Sequence, residues 1–273
     1  MGKITVRELE HALFGAFFQA DAERWDQPGL AVGDPDAIVG RVAVNLDMTT
    51  EAVIAAAKAG CNVLVTHHPP FIKSGPVRFA PQSDALSSGP GRLIYEAASR
   101  GVACIAMHTN ADRCVAVRER YVSMLGWDCI GNFEHLMDSS RAPQGSGFGA
   151  LFAMPAGTVL EDVARHAAAV FGRVPRIWGD ADRAITKVAL LNGSWGEQEV
   201  YDICVANGIE CAVVGEARYH FCLDAQPHLS IIDLGHDVSE LPIVDVLMQA
   251  LADAGVTDIR NLGCSLGNWW TLK

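Results

Sequence analysis

The chain has 273 residues, half of them hydrophobic and 19% charged, enough apolar material for one large domain or two of ordinary size. It carries 32 acidic against 21 basic side chains, a net charge of −11, and no dense run of Lys and Arg, which disfavours a nucleic-acid partner. The nearest thing to a basic stretch, residues 113–120, reads as the solvated face of a helix. Residues 1–10 lack the apolar core of a secretion signal, and no apolar stretch reaches the ~18 residues that span a bilayer. The eight cysteines form no C-x-x-C pair and mostly sit in apolar runs as small hydrophobes, so a reduced, cytoplasmic chain is expected, with no membrane.

Residues 6–20 show helical periodicity in Leu9, Leu13, Phe14, Phe17 and Phe18. A turn-rich loop follows at 23–30. Residues 38–46 are apolar and β-branched, hence a strand; 50–59 are Ala-rich and stop at Gly60, hence a helix; 61–65 are again a strand. That order predicts parallel strands with right-handed crossovers. Residues 74–91 read as an exposed loop, 92–100 as a helix, 102–107 as a strand and 114–125 as a helix. The Ser-, Pro- and Gly-rich stretch near 138–149 marks a domain edge. Beyond it come a strand at 148–153, a helix at 158–171, a strand at 185–191, a helix at 197–207, a strand at 210–214, and a strand and helix over 229–254, with 259–269 closing the chain. The expected fold is α/β, two related lobes with mainly parallel sheets and a metal site at strand C-terminal ends between them. Residues 1–137 with 228–273 would form a discontinuous metal-site lobe, 138–146 a linker, and 147–227 the second lobe.

Three of the apolar runs end in metal-binding side chains: 61–66 in His67-His68-Pro69, 102–107 in His108-Thr109-Asn110-Ala111-Asp112, and 229–234 in Gly235-His236-Asp237-Val238-Ser239-Glu240. Open α/β sheets place their sites at such strand ends. After His68 the prolines turn the backbone out of the sheet, so two adjacent imidazoles can face one cavity. His108 and Asp112 are four residues apart, as are His236 and Glu240, which shares one face if the segment is helical. In the last segment Ser239 or Asp237 can cap the helix, with Pro242 tolerated in its first turn. Each histidine also admits a plain reading as a buried neutral ring bonded to backbone, and Asp112 and Glu240 one as partners of a helix dipole. Capping alone does not account for three strand ends carrying His, two of them with a carboxylate nearby.

His67, His68, Asp112, His236 and Glu240 make five donors and His108 a sixth, more than one cation uses. Two cations can share a carboxylate and keep positions open for water, which marks a catalytic site; the reaction class is metal-assisted hydrolysis through a metal-bridged hydroxide. Fe, Zn and Mn all suit imidazole with carboxylate. Asn192-Gly193-Ser194 follows a strand and reads as a tight turn or an anion-binding turn. Glu216 and His220 are candidates for acid–base or supporting roles or for an intersubunit hydrogen bond; Trp25 reads as core packing and Asp26 as a loop cap.

The order Trp25-Asp26-x-x-Gly29-Leu30, His67-His68-Pro69, His108-Thr109-Asn110-x-Asp112, Gly215-Glu216-x-x-Tyr219-His220, Gly235-His236-x-x-Ser239-Glu240 resembles the Nif-three-like dinuclear-metal-centre hexameric family, the GTP cyclohydrolase 1 type 2 homologs. The resemblance runs from about residue 9 to 251. It implies two divalent metal ions on His67, His68, Asp112, His236 and Glu240, with Glu240 bridging and His108 close by. His108 and His220 are then possible acid–base groups. It also implies a toroidal homohexamer, a trimer of dimers, whose sites face the interior. The short linker marks a compact member without an extra domain. A nucleotide or phosphorylated small molecule is the implied substrate class; the alternative is a non-enzymatic metal-binding scaffold or metal-handling protein.

Overall fold

The first helix, α1 (Val6–Ala16), opens with a reciprocal cap: the Thr5 hydroxyl accepts from Glu8 N and the Glu8 carboxylate accepts from Thr5 N. Its buried face is Val6, Leu9 and Leu13. A computed structural model of the protein describes residues 3–71, 79–81, 83–84, 89–226 and 228–263; most of the 74–91 loop, Cys264 and the chain end past 263 lie outside these. In chain order the elements continue as β1 (Gly29–Val32), β2 (Val42–Asp47), α2 (Thr50–Lys58), β3 (Val63–His68), α3 (Gly89–Arg100), β4 (Ala103–Ala106), α4 (Thr109–Asp112) and α5 (Val115–Leu125). Then come β5 (Asp128–Gly131), α6 (Glu134–Met137), β6 (Ala150–Ala153), α7 (Leu160–Phe171), β7 (Arg176–Trp178), β8 (Lys187–Trp195), α8 (Gln198–Ala206), β9 (Cys211–Ala217), α9 (Tyr219–Ala225), β10 (Ser230–Asp233), α10 (His236–Asp253) and β11 (Ile259–Asn261). The protein is mixed α/β. No helix among the described residues is long and apolar enough to cross a membrane.

By Cα proximity the chain divides into two units, Met1–Ala111 with Ile243–Lys273, and Asp112–Pro242. The first holds a five-stranded sheet in the order β1-β4-β3-β2-β11, parallel except for β1. Its central strands are fully buried at Val44, Leu46, Val63, Leu64, Val65 and Ile105, each such side chain contributing roughly 1.5–3 kcal/mol. Helix α2 begins at a Thr49 cap and ends as the glycine predicts: Cys61 N donates to Ala56 O and Gly60 N to Ala57 O, with Gly60 at φ +74°.

The second unit holds a six-stranded sheet in the order β5-β6-β8-β9-β10-β7, in which β8, β9 and β10 are parallel and the rest antiparallel to their neighbours. Its core includes Phe133, Leu191, Val214, Leu229 and Ile231. The seams fall away from the compositional boundaries at 138–146 and 227/228. Strand β10 pairs in register with β9, Ser230 opposite Cys211, so the third ligand-bearing strand belongs to this sheet and not to that of β3 and β4. The Ser-, Pro- and Gly-rich segment does not mark a unit edge: Arg118 donates to Gln144 O and Gly145 O, Asn132 to Ala142 O and Pro143 O, and Gly147 N to Arg113 O.

Those bonds correct the reading of residues 113–120 as a solvated face. Arg113 and Arg118 are buried; Arg113 forks onto Glu134 at 2.8–3.0 Å and lies 4.0 Å over the Phe148 ring. Composition alone does not show that these charges turn inward. Pro242 is a second correction: it sits inside α10, beyond the first turn. Burial of Cys61, Cys104, Cys204, Cys211 and Cys222 matches expectation, and desolvation pushes the Cys104 and Cys204 thiols up to about 12.

Gly60→Ala should cost about 1–2 kcal/mol in denaturant titration, because a Cβ there meets only an ordinary contact and the loss is that of the left-handed backbone. Glu134→Ala, which takes the forked carboxylate away from a buried guanidinium, should cost about 3–5 kcal/mol, whereas the double change Arg113→Met with Glu134→Leu should cost far less.

Candidate metal centre

In the first unit the parallel register of three adjacent strands assembles the site. Asp47 pairs with His68 across β2 and β3, and Thr66 with Ala106 across β3 and β4; the ladder continues through Met107 N to Thr66 O at 2.9 Å. The C-terminal ends therefore lie side by side and bring Asp47, His67, His68 and His108 to one edge. The imidazoles of His67, His68 and His108 stand 4.8–5.6 Å apart between ring centroids, and each offers a nitrogen within 4.8 Å of the others.

Each of these rings is held from behind. His67 Nδ1 bonds Met107 O at 2.9 Å, His68 Nδ1 bonds Asp47 Oδ1 at 2.7 Å, and His108 Nδ1 bonds Asp26 Oδ1 at 2.9 Å. A carbonyl only accepts, so His67 carries its proton on Nδ1, and a neutral ring then has its lone pair on Nε2. Ionised carboxylates impose the same tautomer on His68 and His108. Burial pushes the Asp26 carboxyl up, but it is outweighed by the hydrogen bond to His108, the charge of that ring when protonated, and two donors from Thr109, which hold it down to about 2.

In the second unit the parallel trio β8-β9-β10 presents its C-terminal ends in the same way. Gly235 N donates to Gly215 O at 2.7 Å, and α10 starts at His236 with Glu240 one turn on. His236 Nε2 lies 3.2 Å from Glu240 Oε2, and Asp112 and Glu240 offer oxygens within 4.8 Å of each other. Asn192 Nδ2 donates to Asp112 Oδ1 at 2.6 Å. Ser239 Oγ accepts from Gly193 N at 3.0 Å and donates to His236 O at 2.8 Å. The Tyr121 hydroxyl donates to Ser239 O at 2.7 Å; burial first, then the Glu240 and Asp112 charges, keep that phenol protonated. Two glycines are required here. At Gly193, φ +76°, a Cβ would lie 2.6 Å from Glu240 Oε1, and at Gly215 it would collide with Gly193 O and Ser239 Oγ.

Several expectations change. Asn192-Gly193-Ser194 is a bulge within β8 and not a turn, and it supports the carboxylates. Trp25 is 57% exposed and meets the His108 ring edge-on at 5.8 Å, so it is not core. Asp26 does cap its loop, through Gln27 N, and also holds His108. Glu216, on β9, reaches His236 Nδ1 at 3.8 Å, whereas His220 lies on α9, exposed, against the Tyr219 ring. Asp47 carries no sequence signal beyond its place at the end of a strand.

The donors fit divalent cations of borderline hardness. They are the imidazoles of His67, His68 and His108, held in the ligating tautomer, the imidazole of His236, and the carboxylates of Glu240 and Asp112, the latter steadied by Asn192, with no thiolate among them.

A family model described as Duf34/NIF3 (NGG1p interacting factor 3) matches residues 4–261. A Clostridium acetobutylicum protein named GTP cyclohydrolase 1 type 2 homolog is 27% identical over 235 residues, 85% of this chain and 84% of that protein. One of the same name from Streptomyces coelicolor is 28% identical over 231 residues, 81% of this chain and 76% of that protein. The crystal structure of a Bacillus cereus protein related to NIF3 superposes over 100% of both chains with a TM-score of 0.79 at 18% identity, a likeness of fold. With the family model spanning nearly its whole length, the chain belongs to the Duf34/NIF3 family.

Proposed function

We propose that this protein is a metal-dependent hydrolase of the GTP cyclohydrolase 1 type 2 homolog kind, in which His67, His68, Asp112, His236 and Glu240 would hold two divalent cations. The observation that carries the reading is the set of three clustered imidazoles whose Nδ1 atoms are all engaged by acceptors, which suits their Nε2 atoms to ligation. The names of the relatives support it. A divalent pair supplies Lewis acidity that activates water at neutral pH and neutralises charge on a phosphoryl or ring oxygen. The chain's own residues do the rest. Asp112 is oriented by Asn192, Glu240 is seated against Gly193, and His108, backed by Asp26, is the group placed for proton transfer. The substrate class is a nucleotide or another phosphorylated small molecule. The resemblance in motif order further supports a cytoplasmic homohexamer, checked by light scattering on the purified protein.

The competing reading is a metal-handling or scaffold protein, which binds metal without turnover and whose metal content follows supply. Elemental analysis, then a nucleotide-hydrolase and phosphatase screen with Fe, Mn and Zn, separates the two. Asp112→Ala and Glu240→Ala should each abolish turnover and lower metal content while the circular dichroism spectrum holds. Turnover surviving in both would remove the metal-assisted mechanism. Gly193→Ala should lower metal content too, and cost about 1–3 kcal/mol, because the added methyl displaces the Glu240 carboxylate. Gly157→Ala, at φ +88° with nothing within 4 Å of a Cβ, isolates the backbone strain alone.

A further inference from the structure

Of the three imidazoles of the first unit, His67 is backed by a neutral backbone carbonyl and two are backed by a carboxylate, His108 by that of Asp26 and His68 by that of Asp47. That carboxylate does not arrive by chance of a flexible surface side chain. Asp47 ends β2 directly opposite His68 in the parallel register. Its backbone carbonyl accepts from Asn45 Nδ2 at 2.8 Å, from a side chain that is fully buried. On the facing strand the Thr66 hydroxyl donates to His68 O at 2.8 Å. Both ends of the 2.7 Å contact are thus fixed by the strands that carry them. A carboxylate on Nδ1 locks the tautomer, fixes the ring's rotation and makes Nε2 a stronger donor to a cation.

We propose that Asp47 is a positioning residue of the metal centre, which presents His68 Nε2 to a divalent cation and raises the affinity for it. This rests on the metal-binding reading above. The test uses the full chain, stripped with a chelator and reloaded with Co(II). It records ions per chain by elemental analysis, affinity by competition with a chromogenic chelator, and the visible absorption of bound Co(II). Asp47→Ala should weaken Co(II) binding about 10–100-fold and shift its absorption. Asp47→Asn keeps an oxygen that accepts from Nδ1 but not the charge, and should recover only part of the affinity. Asp36→Ala, which removes an exposed partner of Arg7, should match the parent. Parental affinity and spectrum in Asp47→Ala would overturn the proposal. If that variant fails to fold, parental behaviour of Asp47→Asn does so. A parent that takes up no Co(II), Zn, Mn or Fe would instead overturn the metal reading itself.

Discussion

The parallel register of β2, β3 and β4 is the constraint on which the imidazole site depends. With Asp47 opposite His68 and Thr66 opposite Ala106, one edge of one sheet receives a carboxylate and the clustered imidazoles of His67, His68 and His108. A slip of one residue would exchange the faces of every side chain on the strand. That register is secured by burial: Val44, Leu46, Val63, Leu64, Val65 and Ile105 have no exposure, and a shifted strand would forfeit most of it. The apolar runs that look like mere core in the chain are therefore what aims the histidines.

The second unit uses the same device for a different donor set. Its parallel trio carries Asn192-Gly193 within β8 and Gly215-Glu216 within β9 and runs on from β10 into Gly235-His236, and the glycines at 193 and 215 let backbone and carboxylate approach where a side chain would intrude. Three imidazoles are backed by acceptors, and the Asp112 carboxylate is steadied by a donor. Asn192 on Asp112 and Asp26 on His108 fix the orientation of those side chains within the fold.

Polar burial elsewhere is structural. The Arg113–Glu134 pair follows Asp112 in the chain, and Glu134 also accepts from Phe148 N. Together with Arg118 and Asn132 it ties down a segment whose composition resembles a linker. Gly, Ser and Pro report only that a stretch does not continue a helix or strand. Whether it is loose or pinned depends on donors elsewhere in the unit.

Much was legible in the chain because it is local. Hydrophobic period gave most strands and helices, Gly60 gave a helix end, and strand ends followed by His or His-x-x-x-carboxylate gave the candidate ligands. The strands that escaped are short, β1, β5, β7 and β11, and form by pairing with a neighbour more than by their own pattern. Asp47, Asp26 and Asn192 were illegible as supports, or nearly so, because a hydrogen bond across 21, 82 or 80 residues leaves no mark in local spacing. The sequence by itself determined which side chains can donate to a cation. Only the tertiary structure decided which sheet each belongs to and what holds it from behind, since strand register and long-range pairing are set by collective burial and not by any residue's neighbours in the chain.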